Sequence, residues 1–390
     1  GYSSAASDVY KRQKVTYSKE EISVEKIRLG IIGIGNMGSE HCRLILSGQT
    51  PEIALTCVAD PRQDRRDWAQ QTLPAGTGIY ADGMSLIRAH ACDAVLIATP
   101  HELHPPLAEA ALRAGLHVLS EKPAGVYTAQ LHPVIAAAQE TGRTYALMFN
   151  QRTNCVYRRL KALMDSGELG ALKRVTWVVT DWYRSQAYYD SGAWRATWTG
   201  EGGGVLLNQC PHQLDLLQWL CGLPVRVRAA CHEGKWHDIE VEDDVTAYLE
   251  FANGATGTFI ASTGDALGEN RLEIIGTRAR IRIENDQLTL DTLSVDERDW
   301  CPVCKEPFGV PDIQHEIVQT DGENPQHAGV LNAFAAHILH GTPLVADGRE
   351  GIRGLMLSNA MHLSSWTNQT VSLPIDEAVS YTHLRAHETT

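Results

Sequence analysis

No stretch of the 390-residue chain approaches the ~18–20 consecutive apolar residues that a membrane-spanning helix needs, and no early apolar segment reads as a secretory signal. Positive charge is also scarce. Lys and Arg number 34 against 47 Asp and Glu, a formal net charge of −13, and no basic stripe offsets that balance, which argues against a general nucleic-acid binder. Nine cysteines, an odd number scattered along a long chain, read as reduced thiols and not as a disulfide framework. Cys301-Pro302-Val303-Cys304 has no second pair behind it. Zinc normally takes four ligands, so two reduced loop cysteines and no metal are expected. Apolar residues are plentiful at 43%, enough for two or three cores at roughly 150 residues per domain. The expectation is a cytoplasmic protein of two domains, with neither nucleic acid nor membrane as a partner.

Two terminal segments stand apart. Gly1 to Gln13 and Val379 to Thr390 carry no apolar periodicity and resemble translated sequencing-adapter sequence, so neither is expected to add packed structure.

Residues 25–150 read as a dinucleotide-binding α/β domain of Rossmann type. Ile27 to Ile32 is a short Ile-rich run of the kind buried on both faces in a parallel sheet. Gly33-Ile34-Gly35-Asn36-Met37-Gly38 follows, then a helical pattern through Leu46 that ends at Gly48. Gly33 suits the tight turn, Gly35 the approach of a pyrophosphate, and Gly38 the close packing of helix on strand; the helix N-terminus attracts the phosphates. A second strand, Ile53 to Ala59, ends at Asp60, where an acid for the adenosine ribose is expected. Asp60 favours NAD because a carboxylate repels a 2′-phosphate, while Arg62 leaves NADP open. Further strands at Ala94 to Thr99, His117 to Ser120 and Tyr145 to Phe149 alternate with helices at Pro105 to Ala114 and Ala129 to Glu140, which predicts a doubly wound parallel sheet. Thr99, Pro100, His101 and His104 after one strand, and Glu121 and Lys122 after the next, are then expected at the carboxyl ends, facing the cofactor with Asn36 and Met37.

Glu121-Lys122-Pro123 at a strand end, behind this glycine-rich start, resembles the glucose–fructose oxidoreductase / inositol dehydrogenase / MocA (Gfo/Idh/MocA) family of sugar and polyol oxidoreductases. The segment from Gly202-Gly203-Gly204 through Asn208 and His212 to Asp215 strengthens the resemblance, as do His327 to Phe334 and a helix from Gly351 to Trp366. The similarity covers about residues 27–376. It implies NAD(P)-dependent hydride transfer at a secondary hydroxyl of a sugar, polyol or glycoside, with Lys122, His212 and Asn208 as the catalytic residues. Chemistry agrees: such a transfer needs a base for the hydroxyl proton and a cation beside the developing alkoxide, roles that suit His212 and Lys122. Asn208 stands where many members have Asp, so it can position a substrate but not take a proton. Four residues apart, Asn208 and His212 would share a face of one helix. The same scaffold also carries glycoside-cleaving enzymes that oxidise the sugar transiently with retained NAD, and non-catalytic sugar sensors.

Residues 151–376 lose the strict alternation. Strand patterns at Val175 to Thr180, Val245 to Phe251, Thr256 to Ser262, Arg271 to Ile275, Ala279 to Ile283 and Leu288 to Leu290, with Asn253-Gly254 as a hairpin turn, predict an α+β substrate domain with a large, mostly antiparallel open sheet. An uncovered sheet face would expose an apolar patch, so a homodimer or homotetramer through that face is expected. Tyr183, Arg184, Tyr189, Trp194, Arg195 and Trp198 are candidate substrate residues of a loop over the site, because aromatic rings cover sugar C–H faces while polar tips meet hydroxyls. Arg152 and His327 are further candidates.

Overall fold

The computed structural model describes residues 25–388. Its first strand, β1 (Ile27–Ile32), is buried at every position except Arg28, as a strand covered on both faces must be. Around it run α1 (Asn36–Leu46), β2 (Ile53–Ala59), α2 (Gln63–Thr72), β3 (Gly78–Tyr80), α3 (Gly83–Ala89), β4 (Ala94–Ile97), α4 (His104–Arg113), β5 (His117–Ser120), α5 (Leu131–Thr141) and β6 (Tyr145–Leu147). The strands pair in parallel in the order β3-β2-β1-β4-β5-β6. The order reverses between β1 and β4, and a doubly wound sheet opens its ligand crevice at that point. Strands β4 and β6 each end two residues before the sequence pattern does, because the chain turns into short 3₁₀ segments at His101–Leu103 and Asn150–Thr153.

The second unit adds α6 (Cys155–Ser166), β7 (Leu172–Val179), α7 (Gln186–Tyr189), α8 (Pro211–Cys221), β8 (Arg226–Glu233), β9 (Glu242–Glu250), β10 (Thr256–Ser262), β11 (Asn270–Gly276), β12 (Ala279–Glu284), β13 (Gln287–Leu293), α9 (Glu297–Trp300), β14 (Ile313–Ile317), α10 (Gln326–His340), α11 (Gly351–Thr367), β15 (Val371–Ser372) and α12 (Glu377–Glu388). Its nine strands lie in the order β14-β13-β12-β11-β7-β10-β9-β8-β15, antiparallel except for the β7–β10 pair. Trp177 and Phe259 are fully buried in adjacent strands, with rings in edge-to-face contact at 6.5 Å, an arrangement that adds about 0.5–1.5 kcal/mol beyond burial.

The other sheet face is mixed: Thr246, Tyr248, Arg280, Arg282 and Glu284 lie along it beside partly exposed Val178, Ile260 and Ile275, with Arg280 paired to Asp291 and Arg282 to Glu273. One expectation fails here. The C-terminal segment is not an unpacked tail. The Asp376 carboxylate accepts the backbone N–H groups of Ala378 and Val379, which caps α12. Ser380 and Leu384, four apart on one face, are buried, and the Tyr381 ring sits 4.6 Å from that of Tyr127. Among the described residues no helix is long and apolar enough to cross a membrane, and no group of His, Cys, Asp and Glu could hold a metal ion.

Candidate active site

The glycine loop is built as the spacing requires. Gly33 has φ +88°, and a Cβ there would lie 2.6 Å from the Ala98 carbonyl oxygen. A Cβ on Gly38 would lie 1.8 Å from the Gly33 oxygen, so only glycine lets α1 pack this close. Gly35 is the opposite case: nothing stands within 4 Å of its absent side chain. Helix α1 has no side-chain cap and no acid in its first turn, which leaves its N–H groups and positive dipole end for an anion. Asn36 and Met37 are exposed at this rim, and the Thr99 hydroxyl oxygen is buried without a partner at the end of β4. Open space over an uncapped helix start, beside an orphaned hydroxyl, fits a dinucleotide.

Asp60 stands just past the end of β2, beside the glycine loop. One carboxylate oxygen accepts from Ile34 N and the other from Arg62 N, both at 2.9 Å; each keeps a lone pair for a ribose hydroxyl. The Arg62 guanidinium turns outward to Asp64 at 2.7 Å, so Asp64 takes most of its charge and its pull on Asp60 is the weaker one. Replacing Asp60 by Ala is therefore expected to raise KM for NAD about tenfold, the loss of one charge-assisted hydrogen-bonding group, while KM for NADP falls. Initial rates with the two cofactors check it; an unchanged NAD:NADP ratio would remove Asp60 from the site.

At the end of β5 the sequence candidates separate into anchors and working groups. Glu121 is engaged within the protein: its carboxylate holds His41 Nε2 of α1 at 2.7 Å and the Lys122 backbone N–H at 3.2 Å. Burial opposes the charge of Glu121, but the His41 hydrogen bond and the positive charge around it outweigh burial and hold the carboxyl at about 2. His327, at the start of α10, stacks edge-on to His41 at 5.4 Å. His104 is an anchor too, with its ring nitrogens 2.8 Å from the Pro123 oxygen and 2.7 Å from the Thr99 oxygen. This pins the loop between β4 and α4 to the one after β5.

Lys122 reaches across to the second unit, its Nζ donating to the Asn208 carbonyl oxygen at 2.9 Å. Burial lowers its pKa, against the pull of Glu121 and Glu201. Asn208 and His212 do not share a helix, because α8 begins only at Pro211. Asn208 sits in the preceding turn, its N–H bonded to the Gly204 oxygen at 2.9 Å. Buried Glu242 braces that turn, accepting from Gly204 N at 2.9 Å and Leu206 N at 3.0 Å. His212 is held neutral, its pKa lowered to about 3 by burial and by Lys122. Its Nδ1 is buried with no partner among the described residues, which leaves Nε2 as the nitrogen able to meet a substrate. His101 joins from the first unit, donating from Nδ1 to the Glu201 oxygen at 3.0 Å. Its pKa is lowered to about 3, mainly by burial.

Glu201 and His41 are the residues that the sequence reading misses. His41 has a spacing signal, three residues after Gly38 on the helix that starts at the glycine loop. Glu201 has none beyond its place before Gly202.

The proposed aromatic loop is only partly at the surface. Trp198 is buried against His362 and Trp366, and Tyr189 is buried with its hydroxyl 2.7 Å from that of Thr263; both are core residues. Arg184 points its guanidinium at the Tyr183 carbonyl, 2.9 Å away, and Tyr183 is exposed. Arg195 remains close to the centre. Its guanidinium lies 4.7 Å from both the Tyr188 and Trp194 rings, and Nη1 is 3.9 Å from Glu201. Arg152 is engaged within the protein: it makes a two-pronged pair with Asp215 at 2.8 and 2.6 Å and a further one with Glu350 at 2.9 Å.

Comparison with known proteins follows the same division. Residues 27–149 match the family model for the oxidoreductase family, NAD-binding Rossmann fold, and residues 157–282 match that for the GFO/IDH/MocA C-terminal domain. The uncharacterized oxidoreductase YdgJ of Escherichia coli is 32% identical over 52% of this chain, which spans only 55% of that protein. A scyllo-inositol 2-dehydrogenase (NAD(+)) of Bacillus subtilis is 26% identical over 66% of this chain and 74% of its own length. The WlbA dehydrogenase of Bordetella pertussis, solved with NADH and UDP-GlcNAcA, superposes with a TM-score of 0.76 at 25% identity, covering 90% of this chain and all of that one. The two matched domains, in order and over more than half of the chain, place it in the Gfo/Idh/MocA family of NAD-binding oxidoreductases.

Proposed function

We propose that the protein is an NAD-dependent dehydrogenase acting on a secondary hydroxyl of a sugar, polyol or glycoside. The observation that carries this is the Lys122 Nζ contact to the Asn208 carbonyl. It brings an ammonium at the carboxyl end of β5 under the turn that leads to His212. When bound, NAD supplies the acceptor for the carbon-bound hydrogen; Gly33, Gly35, Gly38, Asp60 and the start of α1 would hold it. The chain's own residues handle the oxygen and its proton. The Lys122 ammonium orients the hydroxyl and stabilises the alkoxide as it forms, an effect of about 2.7–4 kcal/mol for a preorganised donor. Neutral His212 accepts the proton at Nε2. Asn208 takes no proton and positions the substrate by hydrogen bonds. Inositol and sugar-nucleotide names among the relatives support a hydroxyl-rich substrate.

The test is a panel of polyols, aldoses, uronates and aryl glycosides incubated with NAD, with NADH and released aglycone followed together. NADH formation on at least one polyol or sugar supports the reading. Aglycone release without net NADH would replace it by redox-neutral cleavage.

A further inference from the structure

We propose that Glu201 is a positioning residue of this reaction centre: its carboxylate sets the orientation of the Asn208 amide and shares with Glu121 the counter-charge for Lys122. The inference rests on the dehydrogenase reading for its consequence, but not for its test.

Glu201 stands immediately before the glycine turn and is 1% exposed. Its Oε1 accepts from Asn208 Nδ2, and its Oε2 accepts from Ala196 N at 2.8 Å. A carboxylate can only accept, so the amide nitrogen of Asn208 must face it. Asn208 Oδ1 is then turned away as an acceptor for a substrate hydroxyl. The Asn208 backbone oxygen meanwhile holds the Lys122 ammonium. Asn208 is thus gripped at its amide by Glu201 and at its carbonyl by Lys122. The carbonyl of Glu201 also receives His101 Nδ1, so three elements of the crevice converge on one residue.

Charge leads to the same assignment. Lys122 is enclosed and needs a negative neighbour. Glu121 is already engaged by His41, and burial pushes the Cys210 thiol up, which keeps it neutral. Glu201 acts on Lys122 beside Glu121, whose pull is the larger but is shared with His41. Arg195 Nη1, at 3.9 Å, steadies it without a hydrogen bond. Burial raises the pKa of Glu201, and Ala196, Arg195 and Asn208 oppose that rise.

Competitive acetylation of Lys122 across pH, read by peptide mass spectrometry on the full chain, reports the lysine's own titration with no substrate present. A failure of the dehydrogenase reading would therefore leave this test intact. In Glu201→Gln the Lys122 midpoint is expected to fall by about one pH unit, the effect of losing one opposite charge nearby. The other groups around the pair stay as they are: Glu121, Cys210, His101, His104, His212, His327, Arg195 and Glu242. A folded Gln variant with an unmoved midpoint overturns the proposal. Should that variant not fold, Glu201→Asp draws the charge back by one methylene. A smaller downward movement is then expected, and an unmoved midpoint overturns the proposal equally.

Discussion

Replacing Lys122 by Ala is expected to lower kcat/KM by about 10²–10³-fold, the cost of removing one preorganised donor at a developing oxyanion, with NAD affinity within about twofold of the parent. The split follows from where the contacts fall. The features proposed to hold the cofactor lie at Gly33 to Gly38 and Asp60, whereas Lys122 Nζ contacts Asn208. The loss should appear in turnover as well as in KM, because the ammonium acts mainly on charge that exists only in the transition state. Lys122→Arg should not restore the rate. A guanidinium is planar, reaches further and does not lose its proton, while the ammonium is a compact charge whose pKa burial already lowers. Initial rates by NADH absorbance on the best substrate of the panel, and NADH titration by fluorescence, separate the two quantities. Near-native turnover in the Ala variant would remove Lys122 from the chemistry.

The glycine loop of the candidate site is legible in the sequence because backbone geometry dictates it. Gly33 and Gly38 are where they are because a Cβ would overlap the Ala98 and Gly33 oxygens, and steric constraints of that kind leave a fixed spacing. Hydrophobic periodicity locates β1, β2, β4 and β5 for the same local reason. It says nothing of α2, whose residues are polar apart from Trp68 and Ala69 and of which only Ala69 is buried. The substrate half is fixed by tertiary contacts, and there the sequence misleads. Asn208 and His212 have helical spacing, yet Pro211 opens α8 between them, as its fixed φ favours. Trp198 looks like a sugar platform but packs edge-on against the stacked rings of Trp366 and His362. Glu201, a lone acid before a glycine turn, gains its place only when Asn208, His101 and Ala196 fold onto it. Leu384 shows the same limit in a segment set aside as a tail: one capping carboxylate and an i, i+4 pair suffice to seat a helix.

Arg152 offers the largest expected effect on stability, and it also decides between the two roles the sequence leaves open for that residue. Its side chain and that of Asp215 are 2% and 1% exposed, and the guanidinium lies over the Trp219 ring at 5.1 Å. Arg152→Ala would leave Asp215 as an uncompensated buried carboxylate, with a loss of about 3–5 kcal/mol expected. Burial already works against the charge of Asp215, and Arg152 is the main opposing influence. In the variant the folded-state pKa of Asp215 therefore rises further above the unfolded value, and the folded state binds more protons. The destabilisation should then be largest at neutral pH and shrink as pH falls and the carboxyl takes up a proton. Glu350 is partly exposed and can turn to water. Arg152→Met combined with Asp215→Leu removes both charges and should recover most of the loss, because replacing a whole buried pair by apolar groups is often neutral. Urea unfolding of the parent, both single variants and the double variant gives the coupling directly. Activity should fall with stability in the single variant, since Asp215 lies one turn from His212 on α8 and its pairing holds that helix in place. A variant of parental stability that only raises KM would instead make Arg152 a substrate ligand.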